Sequence, residues 1–172
     1  MTILDIVTYP DKRLSQPSEK VETIDEEIKQ LIEDMAETMF DAPGAGLAAV
    51  QVGVNKKILV VNTSQDDEED SEKSYFALIN PEIVEADGEY TSTDEGCLSV
   101  PEFRATVKRF NRVKVIAQDA EGNELELNEE GFPAVVLQHE IDHLDGVLFI
   151  DRISKLKREM YKRKVKKWMK GR

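Results

Sequence analysis

The sequence predicts an α+β fold: antiparallel sheets packed around a central helix, with an additional helix at the C-terminus. Three observations predict it. An apolar stripe of helical period comes early, a block of short β-rich runs follows, and helical periods return only after residue 130. Strands gathered in one block, with helices on either side, favour α+β over an alternating βαβ chain with a parallel sheet.

The first helix is expected over 25–40. Ile24, Ile28, Leu31, Ile32, Met35 and Met39 recur at helical spacing and give it one apolar face. Thr23, with Glu26 three residues on, fits a capping box, and Asp41-Ala42-Pro43-Gly44 ends the helix. The period then changes. Segments 57–62, 75–80, 112–119 and 124–127 are short and rich in β-formers, and Asn80-Pro81, Asp87-Gly88 and Glu121-Gly122-Asn123 supply turns between them. A second helix over 131–144 tolerates Pro133 in its first turn and stops at Gly146. Its Phe132, Val135, Val136, His139 and His143 fall broadly on one side, so it should be buried. The last helix starts near Ser154, a good N-cap.

The chain has 172 residues, 40% of them hydrophobic, which suits one domain spanning 1–172 with a real core. It has no apolar run of about 18 residues, so no membrane span is expected. Its start, Met1-Thr2-Ile3-Leu4-Asp5-Ile6, lacks the basic and long apolar regions of a signal peptide. The expected location is the cytoplasm, with neither membrane nor DNA as a partner. The single cysteine, Cys97, excludes an internal disulfide and leaves a packed thiol, a nucleophile or a metal ligand.

Charge is unevenly spread. From Arg152 to Arg172 there are eleven Lys or Arg and one acid, in a chain of net charge −12. Asp66, Asp67, Glu68, Glu69, Asp70 and Glu72 form an acidic cluster, which should be a solvated, exposed loop because like charges repel at this density. Within 154–170, Leu156, Met160 and Val165 form an apolar seam among the basic residues. A basic helix of this kind can lie on an anionic surface, or dock on the acidic body of its own protein.

Residues 138–146 carry the chemistry: Gln138-His139-Glu140-Ile141-Asp142-His143-Leu144-Asp145-Gly146, with both histidines of the chain inside. Positions i and i+4 share a helix face one turn apart, so His139 and His143 can grip one metal ion, with Glu140 beside them as general base. A third ligand is needed for a catalytic site. The position where some proteases carry a third His is Phe149, which cannot coordinate. Glu159, the downstream acid, sits in a solvated basic segment. Cys97, in Glu95-Gly96-Cys97-Leu98-Ser99, is the better third ligand. One thiolate with two imidazoles suits Zn²⁺ or Fe²⁺ and leaves a position for water. Asp142 can partner a ligand or Arg109, or stand as a surface acid.

Residues 44–51, Gly44-Ala45-Gly46-Leu47-Ala48-Ala49-Val50-Gln51, could pass for a dinucleotide fingerprint. That motif needs a strand before it and a helix after it, whereas this one follows a helix. It is read as a tight loop whose small residues permit close backbone packing, or as one that lets a peptide backbone approach, with Gln51 aimed at the reacting carbonyl.

Together, the three segments at 44–51, 95–99 and 138–143 resemble peptide deformylases, whose motifs are Gly-x-Gly-x-Ala-Ala-x-Gln, Glu-Gly-Cys-Leu-Ser and Gln-His-Glu-x-x-His. The opening Pro10-Asp11-Lys12-Arg13-Leu14 is also similar. The resemblance implies a hydrolase that removes the formyl group from the N-terminal formyl-methionine of new polypeptides. It implies Cys97, His139 and His143 as ligands of one divalent ion, Fe²⁺ in the cell with Zn²⁺ or Ni²⁺ as alternatives. It implies Glu140 as general acid/base, Gln51 and the Leu98 N–H as the oxyanion site, and Gly46 as a partner of the substrate backbone. Arg104 resembles a family arginine near the mouth of the site. It further implies that the basic C-terminal helix contacts the ribosome. Ala45 departs from the pattern: it stands where the family often has a bulkier aliphatic that shapes the methionine pocket.

Overall fold

The early apolar stripe folds as helix α1, Glu26–Asp41, in a computed structural model that describes residues 2–63 and 73–171. The acidic cluster at 66–72 lies outside the described residues. The cap of α1 is Asp25 rather than Thr23: its carboxylate accepts the Ile28 N–H at 3.0 Å. A carboxylate there both satisfies an orphan donor and faces the positive end of the helix dipole.

Seven strands follow: β1 Gly46–Ala48, β2 Ile58–Asn62, β3 Tyr75–Asp87, β4 Tyr90–Cys97, β5 Val100–Arg109, β6 Arg112–Gln118 and β7 Glu124–Glu130. Five form an antiparallel sheet in the order β1-β2-β3-β6-β7, and β4 pairs with β5 in a separate hairpin. Strand β2 is buried on both faces. Leu59 and Val61 join a core with helix α2, Phe132–Leu144, while Ile58 and Val60 join a core with Met35 and Met39 of α1. Alternation along β2 therefore seats the two helices on opposite faces of the sheet.

The expected strands are present, with two differences. Strand β3 runs past Asn80-Pro81 instead of turning there. Asn80 takes a positive φ of 53°, and its side chain pairs with the backbone of Val21, accepting from N and donating to O at 2.9 Å each. The register slips between Ile79 and Glu82, so Pro81, which has no N–H to give a ladder, is absorbed in a bulge. Strands β1 and β4 escaped the sequence reading. The inward side of the β4–β5 hairpin carries Ser92, Glu95 and Arg109 beside Ala105 and Val107, and those polar groups mask the two-residue apolar alternation.

Helix α2 is buried on every side from Ala134 to Leu144, not along one stripe. It ends where expected, and Gly146 is required there. Its φ is +77°, and a Cβ would meet the Ser15 carbonyl oxygen at 2.6 Å. A short 3-10 turn, Phe149–Arg152, leads to α3, Lys155–Lys170, whose N-cap Ser154 accepts the Lys157 N–H at 3.3 Å. Of the expected seam on α3 only Val165 docks. Tyr161 and Val165 are buried with Trp168 packed beside them, while Leu156, Met160 and Met169 are exposed. Among the described residues no helix is long and apolar enough to cross a membrane.

Candidate active site

The cores on the two sheet faces fix α2 beneath a cleft. Its other wall is the β4–β5 hairpin, and its rim is β1. A cavity of about 690 Å³ runs between them, lined by Gly46, Gln51, Cys97, Leu98, Arg104, His139 and Glu140, among others. Segments from three distant stretches of sequence thus meet at one place.

Cys97, His139 and His143 offer donor atoms that all lie within 4.8 Å of one another. Cys97 Sγ is 3.3 Å from His143 Nε2. Donors bound about 2.0–2.3 Å from one tetrahedral ion stand roughly 3.4–3.8 Å apart, so a single ion fits this set after a small adjustment. The tautomer fits as well. His139 donates from Nδ1 to Glu95 Oε1 at 2.7 Å, which leaves Nε2 free to face the cluster. Burial works against a charged His139, yet the Cys97 sulfur and the Glu95 carboxylate hold its pKa well above the ordinary imidazole range. Burial, with His139 and Arg109 nearby, holds His143 well below it. Phe149 is core: its ring stacks between Phe103 and His139, with centroids 6.1 and 6.2 Å away.

Glu140 is 4% exposed, and burial pushes its pKa up to about 7. One carboxylate oxygen lies 3.9 Å from His139 Nε2, and the other has no hydrogen-bond partner among the described residues. An orphaned buried carboxylate oxygen in a cavity is a place where substrate or water is expected. Gly46 makes the approach possible. A Cβ at this position would come within 2.8 Å of Glu140 Cγ. The glycine segment expected as a loop is therefore an edge strand with one side paired to β2 and the other facing the cavity.

Gln51, fully buried, is fixed at both ends of its amide. Oε1 accepts the Ala48 N–H at 2.9 Å, and Nε2 donates to Ser99 Oγ at 3.1 Å and lies 3.6 Å from Cys97 Sγ. Leu98 and Ser99 form the turn of the hairpin, where Cys97 faces Val100. Arg104 stands opposite Gly96, largely exposed at the mouth, and donates to the Asp94 carbonyl at 3.1 Å. Asp94 and Glu102 flank it with positive φ values of 58° and 59°, strained geometry of the kind that gathers at binding sites.

Sequence reasoning missed the layer behind the donors. Glu95 lay inside a quoted motif without a role, yet it orients His139. Asp142 is buried, not on the surface. It pairs with Arg109 at 2.7 Å, as one reading of the sequence allowed, and also with Arg152. Pairings between residues this far apart in sequence leave no local signal.

Comparison with known proteins agrees with this geometry. The family model described as polypeptide deformylase matches residues 3–159. A peptide deformylase of Desulfotalea psychrophila is 52% identical over 168 residues, covering 98% of both chains. One of Rhizobium meliloti is 49% identical, covering 100% of this chain and 97% of that one. The crystal structure of peptide deformylase from Ehrlichia chaffeensis in complex with actinonin superposes with a TM-score of 0.88 at 46% identity, covering 97% of this chain and 98% of that chain. The Legionella pneumophila structure gives 0.88 at 44% identity, covering 98% and 96%. Likeness of this extent, carried over nearly the full length of sequence and fold alike, means that the chain belongs to the polypeptide deformylase family.

Proposed function

We propose that the chain hydrolyses the formyl amide of N-formylmethionyl peptides, releasing formate and a free methionine amine. The observation that carries this reading is Glu140: a buried carboxylate with one oxygen unpartnered among the described residues, set beside three convergent donors and packed against an edge strand. Cys97, His139 and His143 would hold one divalent ion. Fe²⁺ is the reading for the cell, with Zn²⁺ or Ni²⁺ able to replace it. Such an ion would supply Lewis acidity and would make a water molecule easier to deprotonate at neutral pH.

The residues of the chain do the rest. The free edge of β1 at Gly46 binds the peptide backbone by strand addition, with residues after Leu98 on the opposite side. Glu140 accepts the proton of the attacking water as its oxygen bonds to the formyl carbon. It then returns that proton to the amine nitrogen as the C–N bond breaks. A pKa near 7 suits a group that must both take and give a proton at neutral pH. Gln51 Nε2 and the Leu98 N–H donate to the formyl oxygen as it gains charge, each worth about 2.7–4 kcal/mol of transition-state stabilisation. Arg104 holds the peptide at the mouth.

The test is formate release from formyl-Met-Ala-Ser by anaerobically prepared, Fe²⁺- or Ni²⁺-loaded protein, with Glu140→Ala beside it. Rapid release that the variant lacks is expected. No release from a folded, metal-loaded sample would overturn the reading.

The reading also covers the whole chain as one catalytic domain acting in the cytoplasm during protein synthesis. The outward face of α3, basic and bearing exposed Leu156, Met160 and Met169, would bind ribosomal RNA by charge. Salt-sensitive co-sedimentation with ribosomes, lost on truncation after Ile153, is the expected result. Indifference to that truncation would remove the ribosome from the proposal.

A further inference from the structure

Behind His139 a chain of charged side chains runs to the surface. Glu95 takes the Nδ1 proton of His139 in a hydrogen bond. Arg109, with its side chain 2% exposed, grips Glu95 through Nε and Nη2 and reaches Asp142 Oδ2 through Nη1 at 2.7 Å. Arg152 completes the chain as a two-pronged fork, with Nε 2.6 Å from Asp142 Oδ2 and Nη2 2.8 Å from Oδ1. Signs alternate along it: carboxylate, guanidinium, carboxylate, guanidinium.

We propose that Arg152 and Asp142 are positioning residues for the metal centre, acting through Arg109 and Glu95 on the ring of His139. The proposal rests on the metal reading above. Arg109 is shared between two carboxylates, and buried like charges compete for one cation. Arg152 neutralises Asp142 from the outer side and so leaves the fork of Arg109 committed to Glu95. Without Arg152, the two carboxylates face a single guanidinium in a poorly solvated space, where an uncompensated charge is costly. Glu95 then loses its fixed orientation, and the ring it orients loses its own. The demand is for a planar fork, not for charge alone, because both oxygens of Asp142 are engaged.

Arg152 is also the last residue of the 3-10 turn that precedes α3. A plain structural staple at this place would affect stability alone. The proposal predicts an effect on the metal.

The experiment uses the full chain loaded with Co²⁺ as a spectroscopic probe. Absorption bands and the rate of release into a chelator are compared for the unaltered protein, Arg152→Gln, Arg152→Lys and Asp142→Asn. Ser154→Ala serves as a control, because it removes the N-cap hydrogen bond from the Lys157 N–H and loosens α3 without touching the chain of charges. Arg152→Gln and Asp142→Asn are expected to release Co²⁺ roughly tenfold faster with altered bands, since partners of ligating histidines commonly matter by 10–100-fold. Arg152→Lys should fall between them and the unaltered protein, and Ser154→Ala should lower the unfolding temperature with unchanged bands. Arg152 is nearly half exposed, so its Gln variant should fold and is the deciding one. Bands and release in Arg152→Gln within about twofold of the unaltered protein would overturn the proposal. Failure of the unaltered protein to hold Co²⁺ would instead overturn the metal reading itself, and the proposal with it.

Discussion

The two walls of the cleft are built on opposite terms. On one side, α2 is buried from Ala134 to Leu144, pressed on the five-stranded sheet and tied behind by Glu95, Arg109 and Asp142. On the other, the β4–β5 hairpin stands outside that sheet, with exposed Asp94, Glu102 and Arg104 around the mouth. A group that must change its affinity for a proton or an ion has to be taken from water, because solvent would screen the neighbours that tune it. A group that meets an incoming peptide has to remain accessible. The buried wall therefore carries His139, Glu140 and His143 out of reach of solvent, while the hairpin lends Cys97 to the donor cluster, sets Glu95 and Arg109 behind it and keeps its outer residues exposed at the mouth.

Breaking the buried wall should cost most. Glu140→Ala is expected to lower kcat by about 10²–10⁴-fold while metal content, read by elemental analysis, stays the same. A near-normal rate would take the proton-transfer role from Glu140. Next comes the contact between rim and wall. Gly46→Ala places a Cβ 2.8 Å from Glu140 Cγ, and displacing the carboxylate should reduce kcat by roughly 10²-fold, as small misplacements of reacting groups do. An unchanged kcat would show that β1 can yield.

The charge lock behind α2 should appear in acid. Burial pushes the Glu95 carboxyl up, but hydrogen bonds from His139 and Arg109 outweigh it and hold the pKa at about 2. A carboxyl with a lowered folded pKa stabilises fully above its ordinary value. That contribution fades as pH falls from about 4.5 to about 2, because the unfolded chain binds the proton first. Glu95→Gln, followed by denaturant unfolding with metal chelated, should flatten this limb of the stability curve. An acid limb as steep as before would mean that other carboxyls set it.

The smallest effect belongs to the open wall. Arg104→Ala removes an exposed side chain with one long ion pair, 3.9 Å to Asp94. Exposed pairs are worth about 0–1 kcal/mol, so KM should rise up to about fivefold with kcat unchanged. A loss in kcat instead would place Arg104 in the chemistry and erase the contrast between the walls.

Much of the buried wall was legible in the sequence, and little of the open one. His139, Glu140 and His143 sit within one helical turn and need only a period to be related, and Asp25-to-Phe40 periodicity located α1 to within a residue at each end. The hairpin was illegible because the residues that turn inward on it are polar. Glu95 and Arg109 are buried against partners on α2, with Ser92 buried on the same strand pair, which breaks the apolar alternation by which a strand is read. The exposed Leu156 and Met160 misled in the opposite sense: of the apolar spacing on α3 only Val165 docks, beside Tyr161, which the spacing left out.

By itself the sequence determined the fold class, the helix bearing His139, Glu140 and His143, and the family resemblance carried by three short segments. These depend on spacing along one chain or within one turn, where local geometry is nearly fixed. Only the tertiary structure decided that Cys97 stands 3.3 Å from His143, that Gly46 leaves room for Glu140, and that Arg152 ends a chain of charges beginning at His139. Each of those is a meeting of segments distant in sequence, and such meetings are set by how the sheet and its helices pack.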